Sequence, residues 1–303
     1  MTEQEMIKEV VRLKKEKKGV IFAHNYQIPE IQDIADFVGD SLELIQQAVN
    51  TDAELILFSG VDYLAESAKI LAPNKKVLLP VLDAGCPMVN MVDAEQLRVF
   101  RREYPHIPIL CYINSSAAAK AESDLCCTAS NVVELVREIE ADKILFVPDQ
   151  NIGRYLAKQV PEKEIINWEG FCMTHHMVKP LEVDVNRRKH PEALVLVHPE
   201  CSAAVAEKAD FVGSTTEIIR YANQSEKKEF IIGTEMGVLH RLRKENPNKK
   251  FYLLSPSLTC FNMKKTALGD IYHALLKEQH EIKIDEAIRQ KAQLCLEKMF
   301  IKR

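Results

Sequence analysis

Three kinds of short apolar run recur along this chain, and none of them alternates with polar residues. The first kind ends in a polar pair: "GVIFAHN" running to His24, "IPILCYIN" to Tyr112 and "ALVLVHPE" to His198. The second is "ELILFSG", "DKILFVP" and "EFIIGTE", in which Leu57, Leu145 and Ile231 correspond. The third is "KKVLLP", "KEIINW" and "KKFYLL". Consecutive apolar positions suit strands buried on both faces, as in a parallel sheet. The stretches between them, such as "SLELIQQAV" and "VVELVREI", carry the periodicity of amphipathic helices.

The runs keep register. A strand-to-helix corner, "ADFVGDSLELI" at 35–45, returns as "ADFVGSTTEII" at 209–219 and, worn, as "SDLCCTASNVVELV" at 123–136. Its aspartates, Asp36, Asp124 and Asp210, lie 88 and then 86 residues apart. His24, Tyr112 and His198 keep the same spacings. A cysteine follows each third run, at Cys86, Cys172 and Cys260, separated by 86 and 88. Each unit therefore reads strand, helix, strand, helix, strand, cysteine. Strands alternating with helices predict βαβ units with right-handed crossovers.

The period is too long for a solenoid repeat, and a unit of roughly 87 residues can form a small domain. The expected fold is α/β: three similar three-layer αβα domains about a pseudo-threefold axis, with the active site at the centre. The expected boundaries are 1–86, 87–172 and 173–264, with helices in 265–303 returning to the first unit.

Composition narrows the partners. A net charge of −4 and a pI near 6.2 give no bulk attraction to nucleic acid or an anionic membrane. The lysines of "KKEKK" at 14–18 read as a solvated helix face. "MTEQEMIKEVVRLKKEKK" has no apolar signal-peptide core, and no window approaches the roughly 18 apolar residues of a membrane span. The expected location is the cytoplasm. There, metal ligation or core burial is the reading for the eight cysteines, ahead of disulfides. No C-x-x-C pair is present.

Ligands of open parallel sheets bind beyond the carboxyl ends of the strands. His24, Tyr112 and His198 fall there, and the three in-register cysteines follow third strands at the same edge. "GDS" (39–41) and "GST" (213–215) run into helices with Ser or Thr at capping positions, where free N–H groups receive anions. Cys111, Cys126, Cys127, Cys201 and Cys295 read as apolar core residues. Cys86, Cys172 and Cys260 suit a soft metal centre. Zinc on three thiolates is one reading; an iron–sulfur cluster with one iron open as a Lewis acid is the preferred one. His175 is a candidate fourth ligand or substrate contact, and His176 a packing residue.

The start "AHNYQIPEIQDIADFVGDS", with "HPEC", "ADFVGST", "IGTEMG" and three widely spaced cysteines, closely resembles the quinolinate synthase family over nearly the whole chain. The resemblance implies three αβα domains and a cytoplasmic enzyme of de novo NAD biosynthesis. Iminoaspartate would condense with dihydroxyacetone phosphate to give quinolinate, phosphate and water. It implies a 4Fe–4S cluster, acting as a Lewis acid, on Cys86, Cys172 and Cys260. It places His24, Tyr112, Asn114, His198 and Glu200 on the central cavity, and Ser41, Ser214 and Thr215 on carboxylate or phosphate oxygens. Tyr26 matches a tyrosine of proton transfer, and Glu200 and His198 are the general acid/base candidates. A transient partner would be the enzyme that supplies iminoaspartate.

One departure stands in the second corner. "CTASN" puts Ala129 where the family has serine, so Ser130, Thr128 or a backbone N–H is left to make that contact. Two other activities fit the same residues: another iron–sulfur hydro-lyase acting on a small carboxylate, or a non-catalytic protein holding zinc at the three cysteines.

Overall fold

The computed structural model describes residues 1–300. Its strands form three four-stranded parallel sheets. The first comprises β1 (Gly19–His24), β2 (Phe37–Gly39), β3 (Leu55–Ser59) and β4 (Lys76–Leu78), in the order β2-β1-β3-β4. The second comprises β5 (Ile109–Tyr112), β6 (Leu125–Cys127), β7 (Lys143–Val147) and β8 (Glu164–Asn167), in the order β6-β5-β7-β8. The third comprises β9 (Leu194–Val197), β10 (Phe211–Val212), β11 (Glu229–Gly233) and β12 (Lys250–Leu253), in the order β10-β9-β11-β12. The strand order is the same three times. The expected α/β class, built on parallel sheets, is the class observed.

Where the apolar runs predict three strands per unit, each sheet has four. The extra ones, β2, β6 and β10, are the corner itself: two or three residues long and always at the sheet edge. They are too short to form an apolar run.

What fixes the corner is its repeated aspartate. Asp36 donates its N–H to the Ile21 carbonyl at 2.9 Å, and its carboxylate accepts the Ile21 N–H at 2.8 Å. Asp124 makes the same pair with Ile109, at 3.0 and 2.8 Å, and Asp210 with Val195, at 2.9 and 2.7 Å. A cation sits on each: Lys14 at 2.5 Å, Arg101 at 2.8 Å and Arg187 at 2.9 Å. The aspartates that mark the repeat are thus clamps between the corner and the first strand.

Both faces of the sheets are buried, as the non-alternating runs require. Along the first sheet, Ile21 and Leu57 pack into one apolar cluster while Phe22, Ile56 and Phe58 pack into another. In the third, Val195 and Ile231 fall on one side and Leu196 and Ile232 on the other. The cluster holding Phe58 continues through Phe146 of β7, so the first and second sheets share a core. The tail helix Leu268–Lys277 packs on the first helix, Glu3–Glu16, and on β3. The last, Glu286–Glu297, lies on β6 and on helices Ala117–Ala121 and Asp62–Leu71, and so ties the first sheet's layer to the second. No helix among the described residues is long and apolar enough to cross a membrane.

Candidate functional site

The carboxyl ends of the first strands and the corner helices meet at one partly open cavity of about 380 Å³, counting the space at its mouth. Its lining falls into sets that share the 88 and 86 spacing. His24, Tyr112 and His198 come from the ends of β1, β5 and β9; Tyr26, Asn114 and Glu200 lie two residues further on. The corners add Asp40, Thr128 and Ser214, then Ser41, Ala129 and Thr215. Tyr63 and Ser130 complete the wall. Every cavity residue named from the sequence, Thr128 included, therefore lies on this one surface, and Asp40 and Tyr63 join them. Asp40 and Thr128 were legible as register partners of Ser214. Tyr63 was not, because its register partners are Asn151 and Gly237.

The helix starts differ from the sequence expectation in one respect. In the third corner Ser214 is the cap: its hydroxyl accepts the Glu217 N–H at 3.2 Å, and the Glu217 carboxylate accepts the Ser214 N–H at 2.8 Å. In the first, Asp40 caps instead, accepting Leu42 and Glu43 N–H at 3.0 and 3.1 Å, and Ser41 is the first helical residue. A carboxylate is as good a cap as a hydroxyl, and it frees Ser41 for the cavity. In the second corner Thr128 donates both N–H and hydroxyl to Asn131 Oδ1, at 2.8 and 3.2 Å. Ala129 presents only a methyl where Ser41 and Thr215 present hydroxyls. Ser130 lines the cavity too, but its hydroxyl donates across to Asp40 Oδ2 at 2.9 Å.

His24 and His198 are held alike. Each Nδ1 accepts the backbone N–H two residues on, Tyr26 and Glu200 respectively, at 3.2 Å in both cases. That contact makes Nδ1 the acceptor and leaves Nε2 as the N–H of a neutral ring. Burial pulls both to about 4, so neither is charged at neutral pH. Burial alone would raise Glu200; the adjacent His198 and His175, with hydrogen bonds from His175 and Tyr112, outweigh it and hold the carboxyl at about 2. Glu200 Oε2 lies 2.8 Å from His175 Nδ1 and 3.6 Å from His198 Nδ1. Tyr26 places its hydroxyl 2.7 Å from both Thr215 and Thr234, with its ring edge-on to His24. Burial keeps Tyr26, Tyr63 and Tyr112 protonated, well above the ordinary tyrosine range.

All eight cysteines are free thiols; only Cys86, Cys172 and Cys260 are half-exposed, while the other five are buried. The three pack against one apolar cluster, although they come from three separate loops. Burial raises the Cys86 thiol and the nearby Cys260 raises it further; burial, then Glu200 and Cys86, do the same for Cys172. These thiols lie within one another's field, and three soft donors free of disulfides are the donor set of a soft metal centre. Cys172, His175 and Glu200 also offer ligand atoms within 4.8 Å of one another. His175 Nδ1 is 3.2 Å from the Cys172 sulfur, and its Nε2 is 3.0 Å from the Thr234 hydroxyl. His175 thus links the thiol group to Glu200 and, through Thr234, to Tyr26. His176 packs against Phe171 with the ring planes tilted by 34° and meets Asn151 at 3.0 Å, away from the cavity wall.

Residues 8–301 match the family profile described as quinolinate synthetase A protein. The chain is 63% identical over 299 residues, 99% of each chain, to a protein named quinolinate synthase from Alkaliphilus metalliredigens. It is 55% identical over 291 residues, 96% of each chain, to one so named from Caldicellulosiruptor bescii. To another from Methanoregula boonei it is 48% identical over 291 residues, again 96% of each chain.

Proposed function

The chain belongs to the quinolinate synthetase A family and is an enzyme that makes quinolinate for NAD biosynthesis; from that premise we propose that it condenses iminoaspartate with dihydroxyacetone phosphate in the cavity beside Cys86, Cys172 and Cys260. The observation that carries the reading is that equivalent positions of all three sheets line that cavity. The repeated strand order supports three αβα domains, divided at 86, 172 and 264, about a pseudo-threefold axis. Eight free thiols support a reducing, cytoplasmic setting.

Cys86, Cys172 and Cys260 would hold a 4Fe–4S cluster, whose open iron supplies a Lewis acid for substrate oxygen or nitrogen. The chain's own groups do the rest. Both substrates are anions, yet among the described residues no lysine or arginine lines the cavity. Carboxylate and phosphate oxygens are received by neutral donors: the Nε2–H of His24 and His198, the hydroxyls of Ser41 and Thr215, the Asn114 amide and the corner helix starts, while Tyr112 donates to Glu200. Condensation and dehydration require protons taken from carbon and nitrogen and given to departing oxygen. Glu200, ionised and buried, is the acceptor, with His198 beside it. Tyr26, protonated and braced by two threonines, is the donor.

Anaerobically prepared enzyme should be brown and carry about four irons and four sulfides per chain. It should form quinolinate from the two substrates, and Cys86→Ala should abolish both colour and product. A colourless protein with one zinc per chain and no quinolinate would overturn the reading, as would a different dehydration product.

Ala129→Ser restores the third hydroxyl of the Ser41, Ala129, Thr215 set. One added hydrogen bond to an anionic oxygen should lower KM by about tenfold, with kcat little changed. An unchanged KM would mean that Ser130 or a backbone N–H already makes the contact.

A further inference from the structure

The cysteine loops share a contact that sequence spacing conceals. Shortly after the third strand of each sheet comes an acid whose carboxylate accepts the backbone N–H of that unit's cysteine. Cys86 donates to Asp62 Oδ1 at 3.1 Å, Cys172 to Asp149 Oδ2 at 3.0 Å and Cys260 to Glu235 Oε1 at 3.0 Å. The same carboxylates receive N–H groups from the helix start that follows the strand. Asp62 takes that of Tyr63 at 2.8 Å, Asp149 those of Asn151 and Ile152 at 2.8 and 2.9 Å, and Glu235 that of Gly237 at 2.7 Å. One side chain per unit thus pins the cysteine's backbone to the sheet edge.

The contact survives where the sequence around it does not. Gly60 and Val61 separate β3 from Asp62, whereas Pro148 alone precedes Asp149 and Thr234 alone precedes Glu235. The third acid is one methylene longer than the others. An insertion and a change of residue type are both accommodated, and the acceptor still reaches the cysteine N–H. Asp149 and Glu235 are fully buried, positions where a carboxylate is costly unless hydrogen-bonded.

We propose that Asp62, Asp149 and Glu235 are positioning residues that hold the Cys86, Cys172 and Cys260 loops at the spacing an iron–sulfur cluster requires. This rests on the reading of those cysteines as its ligands. Loops fixed in advance need not be ordered by the metal bonds themselves, and outer partners of this kind typically alter metal affinity about 10–100-fold.

The test is the rate at which a chelator strips iron from anaerobic holoenzyme, followed by visible absorption, with circular dichroism melts to verify folding. Asp62→Ala should lose iron about 10–100-fold faster than the parent, whereas Asp62→Asn, which keeps an oxygen acceptor, should stay close to it. Glu235→Ala and Glu235→Gln repeat the comparison in another unit, so that poor folding of one variant does not decide the matter. Folded alanine variants that retain iron like the parent, while Cys86→Ala does not hold it, overturn the positioning role alone. Iron content unaffected by Cys86→Ala overturns both this role and the ligand assignment beneath it.

Discussion

Glu200→Gln is expected to lower kcat/KM for quinolinate formation by about 10²–10⁴-fold while leaving the iron content intact. Glutamine keeps the size and can still accept from His175 and Tyr112, so the cavity wall should hold. What it loses is the charge and the capacity to take a proton. The surroundings keep that capacity available: Glu200 is 4% exposed, yet His198 and His175 beside it and the hydrogen bonds it accepts hold it at about 2. With Glu200 near 2 and His24 and His198 near 4, none of these three changes charge at neutral pH, and their titration should not alter the loss between about pH 6 and 8. If Glu200→Gln instead sheds iron, the carboxylate is acting as a metal ligand beside Cys172 and His175. Full activity in a folded variant would remove Glu200 from the proton-transfer role.

Adding one methyl group at Gly237 should be nearly as damaging from outside the cavity wall. A Cβ there would stand 2.7 Å from the Tyr26 carbonyl carbon, 2.8 Å from the Tyr26 Cα and 2.8 Å from the Gln27 oxygen. All three are backbone atoms, so no side chain can swing aside. The approach is fixed from both directions: Gln32 donates to the carbonyls of Gly237 and Gln27 at 2.9 and 2.8 Å, and Lys264 donates to that of Tyr26. Gly237→Ala must therefore push the Tyr26 segment away from Thr215 and Thr234. A displacement near 1 Å of a catalytic group lowers turnover by about 10²-fold, and overpacking costs roughly 1–3 kcal/mol. Gly269→Ala is the control. No atom lies within 4 Å of its added Cβ, so activity should be unchanged and stability should rise by up to about 1 kcal/mol. Parent-like kcat in Gly237→Ala would mean that Tyr26 tolerates displacement and is not the proton donor.

Gly237, the second glycine of "IGTEMG", shows what a motif can and cannot disclose. Read as sequence it is a point of resemblance. In the fold it is the place where the third unit's loop presses on the first unit's Tyr26. The corner behaves likewise. Its two aspartates, Asp36 and Asp40, stand four residues apart, and nothing local distinguishes them. Asp36 clamps β1, whereas Asp40 caps a helix, faces the cavity and accepts from Ser130 of the second corner. The edge strands β2, β6 and β10 are absent from the pattern of apolar runs because two or three residues carry no periodicity.

By itself the sequence determined the triplicated order of strands and helices, the polar groups at the strand ends and the one cysteine per unit. Apolar runs and helical periodicity are local properties, and a repeat preserves them even as individual residues change. Only the tertiary structure decided which polar groups serve the backbone and which face the cavity, and which of them carry charge there. Hydrogen bonds near 3 Å between loops of different units, and the neighbours that hold Glu200 ionised against its burial while burial keeps His198 neutral, arise only when those distant segments are packed together.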